Sequence, residues 1–259
     1  MGGGKADVGT PSRGWRHGIA RDFLDLILPR VCVCCAAGLG VERGIVCGAC
    51  WARLPTLPSP RCDRCGHPTY GRPCGWCRVL PAYVRAARSV CWERAGTSAQ
   101  SIVVALKYGG WRRVADEMAE RMARLDWPAD VLAERTALVP VPLADSRMRD
   151  RGFNQSEVLA EVLSDRWRIP VWREVIRRVR ATETQTRLTP ADRLRNVSGA
   201  FRASPSMRTS LGGAHVVLVD DVVTTASTMN ACAAALCDGG ARIVSYVTFA
   251  RAPALSDRC

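Results

Sequence analysis

The stretch VVLVDDVVTTASTM, residues 216–229, decides how this chain folds. It begins as an apolar run, ends that run at Asp220 and Asp221, and continues through small hydroxyl residues into a helical pattern. A short apolar run followed by a helical pattern is typical of a buried strand in a parallel sheet. Ligands of open parallel sheets bind beyond the carboxyl ends of the strands, which is where both aspartates lie. The stretch therefore predicts a strand–loop–helix unit with a binding site in its loop.

The residues around the two aspartates suggest what this site binds. Adjacent carboxylates suit a vicinal diol, because each can accept a hydrogen bond from one hydroxyl. The following loop offers consecutive backbone N–H groups and hydroxyls at a helix start, where the helix dipole favours an anion. A diol beside a phosphate describes a ribose 5-phosphate. The simpler alternative is a strand end with solvated aspartates and an ordinary Ser/Thr helix cap.

The chain around this stretch alternates between strand and helix patterns. Four strands are predicted, ARSVCWER (87–94), ALVPVPL (137–143), HVVLVDDV (215–222) and IVSYVTFAR (243–251). Helices are predicted to begin near Ser98, Arg112, Asn154 and Thr228. Alternating strands and helices predict the α/β class, with a parallel sheet flanked by helices. We expect this domain to occupy residues 83–252.

The region before this domain is rich in cysteine. Nine of the 13 cysteines lie between Cys32 and Cys77, and eight of them form four C-x-x-C pairs. Those eight are Cys32, Cys35, Cys47, Cys50, Cys62, Cys65, Cys74 and Cys77. Two such pairs can surround one Zn²⁺ with four sulfurs, so we predict a structural double zinc ribbon within residues 21–80.

Other interpretations of these cysteines remain open. Redox dithiols or disulfides are possible, although a thioredoxin-type motif comes singly in a βαβ pattern, which is absent here. Cys34, the odd thiol in CVCC, could replace Cys32 or Cys35 as a ligand, and His67 could substitute for a cysteine.

The net charge of +13 rests almost entirely on arginine, since Lys5 and Lys107 are the only lysines. Arginine binds phosphate oxygens bidentately, so the charge suggests phosphate or nucleic-acid partners; a biased genome is the alternative. No export signal is visible, and no stretch approaches the ~18 apolar residues of a membrane helix. We therefore expect a cytoplasmic protein without membrane insertion, in which residues 1–20 form a disordered tail.

Several motifs together resemble a known family. VLVDDVVTTAST (217–228) is similar to the phosphoribosyl-pyrophosphate (PRPP) motif of type I phosphoribosyltransferases. Together with the cysteine pairs, the motifs ALKYGG (105–110), VPVPL (139–143), RGFNQSE (151–157) and QTRLTPADRLRNVSGAF (185–201) resemble the ComF family of competence-related proteins. The resemblance implies a zinc ribbon followed by a phosphoribosyltransferase-like domain.

The resemblance also implies roles for individual residues. Asp220, Asp221 and Lys107 become the catalytic groups, the aspartates accepting the ribose hydroxyls. Lys107, Tyr108 and Gly109 match the pyrophosphate loop, while the 5′-phosphate loop comprises Thr224, Thr225, Ala226, Ser227 and Thr228. Arg147, Arg149 and Arg151 stand where related enzymes have a mobile loop, and either clamp pyrophosphate or form a solvated charge run. Lys107 has a simpler alternative role as a cation near a helix terminus.

One position departs from the family pattern. The loop usually reads T-T-G-A-T, and here Ala226 stands at the glycine. If that position needs a positive φ, alanine costs about 1 kcal/mol or more.

Two functions follow from the resemblance. One is phosphoribosyl transfer with Mg²⁺ and PRPP. The sequence indicates no residue that would recognise the acceptor substrate of this transfer. The other is a cytoplasmic role in DNA uptake, in contact with single-stranded DNA and a helicase-like ATPase. In that role Trp51 and Trp76 could stack on bases, or could simply fill the core of the ribbons.

Overall fold

The computed structural model describes residues 30–40, 44–70, 73–108, 113–180 and 199–253. Residues 1–20, predicted to be a tail, lie outside this described part, as do Gly109 and most of the motif 185–201. The helices found in the described part are not long and apolar enough to cross a membrane.

The strands confirm the α/β prediction. They are β1 (Val84–Trp92), β2 (Arg135–Pro140), β3 (Ile176–Arg178), β4 (Phe201–Ala203), β5 (His215–Val223) and β6 (Ile243–Arg251). Four of them form a parallel sheet in the order β1–β6–β5–β2, while β3 and β4 form a separate antiparallel ribbon. The order places β5, which carries the quoted stretch, in the interior of the sheet, where both of its neighbours supply hydrogen bonds.

Because β5 is covered on both faces, its apolar residues alternate between two cores. Val217 and Val219 face one core, and Val216 and Leu218 face the other. All four are fully buried. This double coverage explains why β5 is a continuous apolar run and does not alternate with polar residues.

The helices connect and cover these strands. They are α1 (Gly48–Ala52), α2 (Ser98–Tyr108), α3 (Val114–Ala123), α4 (Ala129–Glu134), α5 (Asp145–Arg151), α6 (Gln155–Trp167), α7 (Arg208–Leu211) and α8 (Ser227–Asp238). Short 3₁₀ turns lie at Trp76–Val79 and Pro205–Met207. Helices α2, α3 and α6 contribute to the core on one face of the sheet, and α8 to the core on the other.

Helix α5 was not predicted. The arginine-rich segment, expected to be a loop, forms two turns of helix that end at Gly152 with φ 73°. None of the residues in α5 is buried. A helix that buries no face has no apolar stripe, so hydrophobic periodicity could not reveal it.

The two cysteine-rich ribbons pack onto opposite faces of the same sheet. Trp51 of the first ribbon joins the core of the α3 and α6 face, with its ring 6.1 Å from that of Phe249. Trp76 of the second ribbon joins the core of the α8 face. Both tryptophans are less than a tenth exposed. The ribbons are therefore part of the fold's core, and these two rings are not available for stacking on bases.

Candidate functional site

A cavity of about 600 Å³ opens at the carboxyl edge of the parallel sheet. The ends of β1 and β5, the segment after β2, and the first turns of α6 and α8 line it. This is the position at which open α/β sheets bind ligands. The predicted residues that line it are Lys107, Tyr108, Arg147, Arg151, Asp220, Asp221, Thr224, Ala226, Ser227 and Thr228.

Asp221 and Lys107 form a close ion pair at the wall of this cavity. Lys107 Nζ lies 2.6 Å from Asp221 Oδ2, and the Asp221 side chain is only 4% exposed. Burial works against the ammonium, but the carboxylate of Asp221 and the charge of Asp220 outweigh it, so the pKa of Lys107 is raised. Lys107 is therefore a permanent positive charge held at the end of β5.

Asp220 is half-buried and held by two donors. Ser156 Oγ donates to Asp220 Oδ1 at 2.7 Å, and the backbone N–H of Asp221 donates to the same oxygen at 2.9 Å. Desolvation and the neighbouring charge of Asp221 raise the pKa of Asp220 to about 7, against the opposing effects of Ser156 and Lys107. The two adjacent carboxyls thus differ: Asp221 has a charged partner, and Asp220 ionises near neutral pH.

The loop after the aspartates turns sharply into α8. Ala226 has φ 59° and ψ 3°, a left-handed conformation, and the helix begins at Ser227. This is the conformation for which glycine is favoured, so the family's glycine has a physical reason here. Thr225 Oγ1 and Ser227 Oγ lie 2.9 Å apart, which orders the turn. The backbone N–H groups of the first turn of α8 can donate hydrogen bonds to an anion in the cavity.

The basic side of the cavity comes from α5 and the end of α2. Arg151 donates to Gln155 Oε1 at 3.0 Å and to Tyr108 Oη at 3.3 Å, and its guanidinium lies 4.9 Å from the Tyr108 ring centre. Tyr108 is 73% exposed at the rim. Arg147 is half-buried on the cavity wall, whereas Arg149 is exposed on the helix surface.

Several residues of the site had not been singled out from the sequence. Ser156 and Gln155 hold Asp220 and Arg151 in place, and Glu93 and Arg178 also line the cavity. Ser156 lies 64 residues from Asp220 in the chain, so no local pattern links them. The one sequence feature that could have indicated Ser156 is its position in the motif RGFNQSE, at the start of a predicted helix.

The cysteines form two clusters with the geometry of zinc sites. The first cluster comprises Cys32, Cys35, Cys47 and Cys50, and the second comprises Cys62, Cys65, Cys74 and Cys77. Within each cluster the four sulfurs all lie within 4.8 Å of one another, as expected around one ion with metal–sulfur distances of about 2.3 Å. In the first cluster the backbone N–H groups of Cys34 and Cys47 point to Cys32 Sγ at 3.5 and 3.3 Å.

The two alternative ligands lie outside these clusters. The Cys34 thiol is directed to the Ser98 carbonyl, with its sulfur 3.8 Å from that oxygen. His67 is buried, with its ring stacked 6.2 Å from that of Trp76. The eight paired cysteines therefore fit two closed four-sulfur sites, which leave no position open for a substrate.

Comparison with known proteins gives two domain matches and several relatives. Residues 23–79 match the double zinc ribbon domain, and residues 80–258 match the phosphoribosyl transferase domain. The chain is 34% identical over 235 residues to the DNA utilization protein YhgH of Escherichia coli K12, covering 85% of this chain and 96% of that protein. It is 28% identical over 211 residues to Competence protein F of Haemophilus influenzae, covering 77% and 87% of the two chains. It is 26% identical over 212 residues to Competence protein ComFC of Bacillus subtilis, covering 80% and 84%.

Proposed function

The chain belongs to the phosphoribosyl transferase domain family, in the ComF group that carries an N-terminal double zinc ribbon, and we propose that its cavity binds PRPP or another ribose 5-phosphate group. One observation carries the proposal. Asp220 and Asp221 lie among the last four residues of β5, on the wall of a cavity that is also lined by the helix start at Ser227. Two diol acceptors and an anion site are thereby joined by one short loop.

The remaining charges suit the pyrophosphate of PRPP. Lys107 is paired with Asp221, and Arg147 and Arg151 supply further positive charge to the same cavity. A pyrophosphate offers Lys107 a second anionic partner. In this proposal Asp221 thereby becomes free to accept a ribose hydroxyl.

Magnesium ions fit the same residues. Mg²⁺ prefers oxygen ligands and is usually bound through one or two carboxylates together with substrate phosphates. Asp220 and Asp221 are the carboxylates that would hold it, and it would neutralise charge on the leaving pyrophosphate. The protein's own contribution is to orient the ribose and to place Lys107 and the arginines around the negative charge.

Isothermal titration calorimetry with PRPP and Mg²⁺ tests this site. The double variant Asp220→Asn with Asp221→Asn should lose PRPP binding, because neutral amides are weaker acceptors for hydroxyls and weaker ligands for Mg²⁺. Asp150→Asn is the matched control, since Asp150 also lines the cavity but lies exposed on α5. Unchanged PRPP affinity in the double variant would show that the aspartates do not form the site.

We further propose that the protein acts in DNA uptake by contacting single-stranded DNA, as the names of its relatives suggest. DNA lacks the ribose 2′-hydroxyl, so the aspartate pair does not suit it, and the strand should instead follow the basic surface outside the cavity. Arg177 and Arg202 lie directly opposite each other on β3 and β4, and both are exposed. Like charges directly opposite each other destabilise a pair of antiparallel strands, and a bound phosphate would relieve that repulsion. A helicase-like ATPase remains the expected partner in this role.

Fluorescence anisotropy with labelled oligonucleotides at several salt concentrations tests DNA binding. Binding to phosphates through arginine should weaken steeply between low and moderate salt. Arg177→Ala with Arg202→Ala should flatten that dependence, while PRPP binding stays unchanged. Full competition between PRPP and DNA would place the strand in the cavity and contradict the arrangement proposed here.

Phosphoribosyl transfer to an unidentified acceptor is the alternative function. The cavity is also lined by Glu93 and Val103, which the ribose and phosphate assignments leave unused and which could contact an acceptor. Release of pyrophosphate from PRPP in the presence of candidate amines and bases would establish this activity. If PRPP binds without turnover, the cavity serves as a binding site.

A further inference from the structure

Arg251, the last residue of β6, is a fully buried arginine with 0% of its surface exposed. Its Nη2 donates to the carbonyl oxygen of Cys65 at 2.6 Å, and its guanidinium carbon lies 4.2 Å from the Trp76 ring centre. Its Nε and Nη1 are buried and have no hydrogen-bond partner among the described residues. One hydrogen bond and one ring contact offset little of the free-energy cost of burying a charge.

A buried guanidinium requires negative charge nearby. Arginine keeps its proton under all ordinary conditions, so it cannot escape the cost of burial by becoming neutral. That cost is several kcal/mol per ion unless an opposite charge offsets it. Cys65, whose carbonyl oxygen accepts from Arg251, belongs to the second cluster.

The second cluster can supply this charge when it holds metal. Four thiolates around one Zn²⁺ carry a net charge of about −2, because each deprotonated sulfur contributes −1. Four protonated thiols carry none. The charge that compensates Arg251 is thus present in the metal-loaded ribbon and absent in the metal-free one.

We propose that Arg251 is the counter-ion of the zinc–thiolate centre in the second cluster and ties that metal to strand β6. The backbone of Arg251 adjoins the site described above. Its partner in β5 is Val223, and its carbonyl oxygen accepts from the N–H of Glu93 at 2.7 Å. Val223 and Glu93 both line the cavity, so Arg251 connects the metal site through its side chain to the cavity rim through its backbone. The proposal is independent of what the cavity binds.

Zinc release tests the proposal directly. Zinc-loaded protein is mixed with a coloured chelator, and the rate and amount of zinc released are followed. Arg251→Met keeps much of the volume and removes the charge, and it should speed release from one of the two sites by about 10- to 100-fold. Arg251→Lys keeps the charge and should release zinc more slowly than Arg251→Met.

Arg121→Met is the matched control. Arg121 stacks on the tryptophan of the first ribbon, with its guanidinium carbon 3.7 Å from the Trp51 ring centre, and it bonds a backbone carbonyl, but it is only half-buried. It should release zinc at the rate of the wild type. Wild-type release in Arg251→Met, or equal acceleration in Arg251→Met and Arg251→Lys, would overturn the role of the charge.

A second measurement keeps the proposal testable if Arg251→Met fails to fold. Hydrogen exchange is recorded on wild-type protein that carries two, one or no zinc ions per chain. Loss of zinc from the second cluster should reduce amide protection along Ile243–Arg251 more than along the distant edge strand Arg135–Pro140. Equal protection of β6 with and without zinc would refute the link between metal and strand.

Discussion

Replacing Lys107 with methionine should destabilise the protein far more than an ordinary surface charge change. The substitution keeps a long apolar stem but removes the ammonium that lies 2.6 Å from Asp221. Asp221 is 4% exposed, so its carboxylate would remain in the protein without its charged partner. Removing one partner of a buried pair costs about 3–5 kcal/mol. Because Lys107 itself is 22% exposed and water reaches the pair from one side, we expect about 3 kcal/mol.

Urea denaturation of four proteins measures this contribution. They are the wild type, Lys107→Met, Asp221→Asn and the double variant. The double variant should recover much of the stability lost in Lys107→Met, because the neutral amide no longer needs a cation. The resulting coupling energy should be about 2–3 kcal/mol, the upper part of the range for residues in contact.

Arg173→Met is the matched control for burial. Arg173 forms ion pairs of similar length, 2.7 Å to Glu157 and 2.8 Å to Glu161, but its side chain is 48% exposed. Exposed pairs contribute only about 0–1 kcal/mol. If Lys107→Met costs no more than Arg173→Met, the pair at the end of β5 is screened by water and the reasoning about its burial is wrong.

Further predictions concern the same site and the ribbons. The pKa of Asp220 rises from 3.8 to about 7 on folding, so the folded state keeps a proton that the unfolded chain has lost, and stability should fall as pH rises through this window. Urea titrations from pH 4 to 8 should show a weaker fall for Asp220→Asn, and an identical pH profile would contradict the shift. Ala226→Gly should change stability by less than about 1 kcal/mol, because relief of roughly 1–2 kcal/mol of left-handed strain is opposed by a lost buried methyl and a more flexible unfolded chain. Ala233→Gly, in the buried interior of α8, should instead cost about 1–2 kcal/mol in the same assay. Chelation of zinc should expose Trp51 and Trp76 and shift their fluorescence to the red, since both ribbons need metal to hold these rings in the core; an unshifted spectrum in metal-free protein would show that the ribbons fold without it.

Much of the architecture was predictable from local patterns. The four strands of the parallel sheet were predicted to within a few residues at each end. The signal is clearest for β5, because a strand covered on both faces is a continuous apolar run. Helix α6 was predicted from its start at Asn154, whose side chain accepts from the N–H of Ser156 at 3.1 Å. The sequence also predicts backbone strain at Ala226 if its φ is positive, and the φ of Ala226 is 59°.

The features that were missed have no local signal. Helix α5 buries none of its residues, and the antiparallel pair β3–β4 has only three residues per strand. Trp51 and Trp76 could not be assigned to core or surface from the sequence, because the ribbons bury them only by packing on the sheet.

Local patterns are enough to establish the α/β class, the position of the aspartates near the carboxyl end of a strand and the arrangement of the cysteines as two ribbons. Each of these depends on residues close together in the chain, where spacing dictates geometry. Tertiary packing sets which groups surround the aspartates: Lys107 and Ser156 approach β5 from two different helices. It also decided that Arg251 at the end of β6 lies against Cys65 of a ribbon 186 residues earlier. Such charges become significant only when folding removes water from around them, and which charges then meet is set by the packing of the whole chain.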